Sequence, residues 1–124
     1  MVTKGLEVLV VDDNGMNRKL FGMLLKKMGN IVDEADSGKE CLELVCRKKF
    51  DLIFMDHMMP DMDGIETLHR MNGLSDSLNM GTPVVALTAN DMDNAKEFYL
   101  DAGFHAYLEK PVLPQKLEEL IQIL

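Results

Sequence analysis

A chain of 124 residues, 47% hydrophobic and 27% charged, suits one soluble globular domain: too short for an added effector module and too apolar for disorder. Its net charge of −8 argues against direct binding to nucleic acid, whose phosphates select clustered Lys and Arg, so partners are expected to be proteins. Apolar runs fall far short of the ~20 residues that span a bilayer, and Met1 to Glu7 lacks a signal-peptide core; the expectation is a cytoplasmic protein without membrane insertion.

Val8 to Val11 is an unbroken apolar run, as expected of a strand covered on both faces by helices. A helix follows, its stripe formed by Leu20, Phe21, Leu24, Leu25 and Met28, with Gly29 where a left-handed residue stops it. Ile31 to Ala35 reads as a more mixed strand, nearer a sheet edge. Ser37 caps a second helix carrying Leu42 and Val45, and Glu40 completes a capping box. Cys41 and Cys46 lie about 140° apart around that helix at ~100° per residue, so they point apart and read as free thiols. Leu52 to Met55 is a second unbroken run, followed by a short helix from near Ile65. Val84 to Leu87 is a third, and these three runs make the centre of the sheet. Ala95, Phe98, Tyr99 and Ala102 mark a fourth helix ended by Gly103. Ala106 to Leu108 is another edge-like strand, and Leu117, Leu120, Ile121 and Leu124 mark a fifth helix after Pro114. Five strand–helix units with right-handed crossovers predict an α/β three-layer sandwich, one domain over residues 1–124.

In an open parallel sheet, residues at the carboxyl ends of the strands meet in one crevice. Here those positions hold Asp12, Asp13, Asp56, Thr88 and Lys110. Three carboxylates crowded with one ammonium call for a further counter-charge, and Mg²⁺, a hard oxygen-loving ion, is the natural candidate. Asp12 and Asp13 suit the metal, Asp13 directly and Asp12 through water, with a backbone carbonyl near Met58 placed to complete the shell. Asp56, between an apolar run and the loop His57 to Gly64, is the candidate nucleophile toward phosphorus. Lys110 and Thr88 would stabilise charge on the transferring group. Each piece has an ordinary reading as well: Asp-Asp-Asn before a helix is a common capping segment, and a strand-end Asp or Thr alone says little. It is the joint placement of all five that points to phosphoryl chemistry.

Other candidates carry less. Asp61, Asp63 and Gly64 have a calcium-loop flavour, but Met59 and Arg70 would then fall on the ligand positions one and twelve, so a turn into the third helix is expected. His57, His69 and His105 are scattered without metal-type spacing and read as surface residues. The 11 methionines read mostly as core filler, although Met58, Met59 and Met62 could form an adaptable docking surface.

The motifs VLVVDDN (Val8 to Asn14), LIFMDHMMPDMDG (Leu52 to Gly64), VVALTAN (Val84 to Asn90) and YLEKP (Tyr107 to Pro111) closely resemble the receiver domain of two-component response regulators, in the right order across essentially the whole chain. The resemblance implies a flavodoxin-like sheet of order 2-1-3-4-5. It implies phosphorylation of Asp56 by a histidine kinase or histidine phosphotransfer protein, with Mg²⁺ held by Asp12, Asp13 and Asp56. By the same matching Thr88 and Tyr107 are a switch pair that alters the face formed by the fourth helix, fifth strand and fifth helix, where a downstream protein would dock. The Lys110–Pro111 bond is expected to be cis. Met58 and Asn90, two residues beyond Asp56 and Thr88, would flank the line of water attack; neither offers a carboxylate, so slow self-dephosphorylation is expected.

A phosphohistidine donor is expected to approach along the first helix and the segment Pro111 to Pro114. Arg18, Lys19, Lys26 and Lys27 give that helix a basic side, either steering an acidic partner or merely solvated. Such a domain is a phospho-accepting switch and is not expected to be an enzyme. Two alternatives remain in other classes. An aspartyl-phosphate-forming phosphatase of the haloacid dehalogenase kind resembles D-x-D at its first strand, whereas the two acids here are adjacent. A non-phosphorylated interaction module of the same fold would normally have lost part of the acidic cluster. Free-standing regulators, phosphorelay intermediates and receiver segments of hybrid kinases all share these motifs.

Overall fold

Apolar runs without alternation become parallel strands because both faces of each are buried, and the computed structural model, which describes residues 5–89 and 93–124, bears this out. The strands are β1 (Glu7–Val11), β2 (Ile31–Ala35), β3 (Leu52–Asp56), β4 (Val84–Thr88) and β5 (Ala106–Glu109). Helices α1 (Gly15–Lys27), α2 (Gly38–Val45), α3 (Gly64–Asn72), α4 (Ala95–Ala102) and α5 (Pro114–Ile123) alternate with them. The sheet order is β2-β1-β3-β4-β5 and every pairing is parallel. The mixed strands β2 and β5 take the edges, as their composition requires.

Two cores sandwich the sheet. Phe21 and Leu25 of α1, Met28 at its C-cap and Leu117 of α5 pack on Val8, Val10, Phe54, Val85 and Leu87. Cys41 and Val45 of α2, Leu68 and Met71 of α3, and Ala95 and Tyr99 of α4 pack on Leu9, Val11, Ile53, Met55 and Ala86. Each Leu- or Phe-sized side chain so buried contributes about 1.5–3 kcal/mol. Left-handed glycines end α1 and α4, Gly29 at φ 98° and Gly103 at φ 110°, a conformation a Cβ would strain.

Several details depart from expectation. Leu20 and Leu124 are exposed rather than part of the core stripes, and Phe98 is only partly covered. The fifth helix starts at Pro114 rather than after it, since proline's missing N–H costs nothing in a first turn. Ser37 Oγ accepts from the Glu40 N–H at 3.1 Å, but Glu40 reaches back to the Asp36 N–H at 2.7 Å, one residue ahead of the bond a capping box uses. Both cysteines are free, and burial pushes the Cys41 thiol up to about 12. Among the described residues no helix is long and apolar enough to cross a membrane.

Candidate functional site

Strand register decides which residues meet. Val11 pairs with Ala35 and Met55, Asp56 with Leu87, and Thr88 with Glu109, so β1, β3, β4 and β5 finish along one edge of the sheet. The residues that finish or follow them, Asp12, Asp13, Asp56, Thr88 and Lys110, are the five singled out from sequence. Carboxylate oxygens of Asp12, Asp13 and Asp56 all lie within 4.8 Å of one another. Lys110 Nζ sits 2.8 Å from Asp56 Oδ1 and 3.2 Å from Asp12 Oδ2. Asp12 and Thr88 are 2% exposed and Asp56 6%, while Asp13 is open to solvent.

Local bonds hold this arrangement. The Asp12 N–H donates to the Ala35 carbonyl at 3.1 Å, and its Oδ1 accepts from the Asn14 N–H at 2.9 Å. Asn14 itself caps α1, accepting from the Asn17 N–H. The Lys110 N–H donates to the Thr88 carbonyl at 2.8 Å, and the peptide bond from Lys110 to Pro111 is cis, as expected. Gly64 must be glycine here because an added Cβ would run into the Asp56 carbonyl oxygen; α3 therefore begins against the end of β3. Asp63 caps that helix through the Glu66 N–H, confirming a turn at Asp61 to Gly64 rather than a calcium loop.

Electrostatics leave the pocket short of positive charge. Burial pushes the Asp56 carboxyl above its ordinary value; the Lys110 ammonium opposes this, and the charges of Asp12 and Asp13 reinforce it. Burial by itself would lower Lys110, but its hydrogen bond to Asp56 and the charges of Asp56 and Asp12 outweigh that and raise it. Formally three negative groups face one positive one, so a divalent cation would neutralise the cluster. The donors fit Mg²⁺: opposite ligands of one octahedron stand about 4.2 Å apart, so oxygens within 4.8 Å converge with small movements. Asp12, Asp13 and Asp56 could hold it, and charge and oriented donors in a half-buried pocket suit phosphoryl transfer.

Residues 8–122 match the family described as response regulator receiver domain. The chain is a receiver domain. It is 42% identical over 116 residues to the signal transduction histidine-protein kinase BarA of Escherichia coli K12, covering 94% of this chain and 12% of that kinase. The receiver domain therefore spans about an eighth of the length of such relatives. Among solved structures, chemotaxis protein CheY4 of Vibrio cholerae superposes with a TM-score of 0.85 at 29% identity, covering 97% of this chain and 98% of that one. The receiver domain of sensor histidine kinase PA1611 from Pseudomonas aeruginosa, described with a magnesium ion coordinated in its active-site cleft, gives 0.84 at 29% identity, covering 97% of each chain.

Around the receiver pocket some sequence readings change. Arg18 is not a free steering charge: its Nε pairs with Glu34 at 2.8 Å and its Nη1 donates to the Asp12 carbonyl at 2.8 Å. Lys19 shares Glu34 at 3.2 Å. Burial would raise Glu34, but the Arg18 and Lys19 hydrogen bonds bring it below its ordinary value. Nothing in a one-dimensional pattern announced this bracket from α1 to the edge strand. His57 is buried, not superficial, with Nδ1 2.8 Å from the Tyr99 hydroxyl. A signal existed, since His57 stands two residues beyond the buried Met55 and shares its side of the strand. His69 and His105 do lie at the surface. Met59 is buried and Met62, half-buried, packs beside Gly38, so of the three loop methionines Met58, 68% exposed, is the most open. Asn90 lies outside the described residues. Tyr107 is half-buried, stacked on Tyr99 at 5.8 Å.

Proposed function

We propose that this receiver domain accepts a phosphoryl group on Asp56 from a phosphohistidine, carried by a histidine kinase or a histidine phosphotransfer protein. The observation that carries the reading is the Lys110 ammonium bridging Asp56 and Asp12 inside a cluster of three carboxylates. An Asp56 oxygen attacks phosphorus, the P–N bond breaks, and the bonding pair stays on that nitrogen of the donor ring, which leaves as neutral imidazole when its other nitrogen carries a proton; the product is an aspartyl phosphate. Mg²⁺, held by Asp12, Asp13, Asp56 and the Met58 carbonyl, would neutralise the phosphoryl oxygens, while Lys110 and Thr88 bind them. The domain acts as a stoichiometric acceptor rather than a turnover enzyme, and works in the cytoplasm without binding nucleic acid directly.

A groove of about 450 Å³ beside the pocket supports the donor's route. It is lined by Leu20, Phe21 and Leu24 of α1 and by Pro111 and Val112, and it reaches Asp12 and Lys110. An exposed Leu20, unexplained by the core, has a use here as a docking contact. Thr88 and Tyr107 would pass the change to the face of α4, β5 and α5, where a downstream protein could bind.

Incubation with acetyl phosphate followed by mass spectrometry tests the assignment. One phosphoryl adduct is expected on Asp56 with Mg²⁺ present, and none in excess chelator or in Asp56→Asn. An undiminished adduct under either condition overturns it.

A further inference from the structure

The residue immediately after Asp56 turns away from the pocket. His57 lies on the side of the sheet covered by α2, α3 and α4, where its Nδ1 and the Tyr99 hydroxyl of α4 share a hydrogen bond of 2.8 Å. His57 is 8% exposed and Tyr99 fully buried, so this bond supplies what water cannot to the phenol and to that ring nitrogen. The His57 backbone is joined to β4 and to the start of α3: its N–H donates to the Leu87 carbonyl at 3.0 Å, and its carbonyl accepts from the Gly64 N–H at 2.8 Å. Tyr99 in turn stacks on Tyr107 of β5 at 5.8 Å and meets Phe98 edge-on at 5.0 Å. A contiguous line of contacts thus runs from the end of β3 to α4 and β5.

We propose that His57 and Tyr99 are positioning residues through which the chemical state of Asp56 sets the position of α4. This rests on the reading of Asp56 as phosphoacceptor. A phosphoryl group brings up to two negative charges to that side chain, so the end of β3 readjusts to Lys110 and its other partners. His57 is the next residue along the chain and moves with it. Hydrogen bonds weaken steeply when bent or stretched, whereas stacked rings tolerate sliding, so the His57–Tyr99 bond is the stiff connection to α4 and the stack on Tyr107 the soft one.

Three variants separate the bond from the shape. Tyr99→Phe deletes only the hydroxyl; His57→Leu fills the space without a polar atom; His57→Asn keeps an amide near the place of Nδ1. Amide spectra by NMR are compared before and after Mg²⁺ with beryllofluoride, a mimic of the phosphoryl group. The amides of Asp56 to Gly64 are expected to respond in every form. Shift changes across Ala95 to Ala102 are expected to fall about threefold in Tyr99→Phe and in His57→Leu, and to recover in His57→Asn. Undiminished α4 shifts in Tyr99→Phe or His57→Leu overturn the coupling, as does a His57→Asn response no better than that of His57→Leu. If Tyr99→Phe does not fold, the two His57 variants make the same comparison. A parent protein whose Asp56 loop is silent toward beryllofluoride overturns the phosphoacceptor reading, and the coupling with it.

Discussion

Replacing Asp56 by Asn should make the metal-free domain more stable, although it removes the group on which function depends. At an effective dielectric constant of ~20, carboxylates no more than 4.8 Å apart repel by at least about 3.5 kcal/mol, while the Lys110 ammonium 2.8 Å from Asp56 attracts it by about 6 kcal/mol. Asp12 repels at nearly full strength, and the exposed Asp13 is partly screened by solvent. The Coulomb terms on Asp56 therefore come close to cancelling, and burial, which acts against the charged form, decides the sign. An acid whose folded pKa is raised binds its proton more tightly in the folded state. Stability is then fully present below the unfolded value and lost as pH rises through the folded one. Above its folded value the parent has lost that contribution, and the neutral Asn has nothing to lose. We expect Asp56→Asn to gain on the order of 1 kcal/mol in excess chelator, or roughly 3–5 °C in Tm. Urea unfolding followed by circular dichroism measures it, and the advantage should shrink as pH falls from 7 toward the ordinary carboxylate value of 3.8. A variant less stable than the parent at neutral pH without metal would refute the claim that burial outweighs the Lys110 pairing.

Mg²⁺ should act against that advantage: at tenfold above its dissociation constant it stabilises the parent by about 1.4 kcal/mol, and Asp56→Asn by less, so equal gains in a thermal scan would count against Asp56 as a ligand. Loaded Asp56 should lose its phosphoryl group faster in Met58→Asn, by up to about tenfold, because an amide can orient the water that an exposed thioether cannot; decay on a phosphate-affinity gel that is unchanged or slower removes Met58 as the cause. Gly64→Ala should cost about 1–3 kcal/mol and slow phosphorylation together, since its Cβ collides with the Asp56 carbonyl; a variant with parental stability and rate would mean the loop yields freely. Asn79→Ala should cost about 2–4 kcal/mol in urea unfolding, because its buried amide accepts from the Phe50 N–H at 2.7 Å and donates to the Val45 and Lys48 carbonyls at 2.9 and 2.7 Å; a loss under 1 kcal/mol would mean water replaces those bonds.

Much of the architecture was legible because its causes are local. Apolar runs without alternation are specific to strands buried on both faces, and Gly29 and Gly103 sit where only a residue tolerant of positive φ ends a helix. Five strand–helix units leave few ways to connect parallel strands, and strand ends then share an edge. Position in the chain thus told which of Asp12, Asp13, Asp56, Thr88 and Lys110 would meet.

What each side chain does once there was decided by tertiary packing. Arg18 belongs by sequence to a basic helix face, yet Glu34 on a neighbouring strand and the Asp12 carbonyl claim its guanidinium. Leu20 fits the α1 stripe by spacing, yet the stripe is wider than the surface that covers it, and Leu20 is left to line the groove beside the pocket. His57 is polar and sits in a loop by sequence, yet strand alternation carries it inward to a hydroxyl on α4, 42 residues further on. Periodicity is set by the chain's own geometry and can be read along it, whereas the partner of a polar group depends on which distant surface folds against it, and only three dimensions supply that.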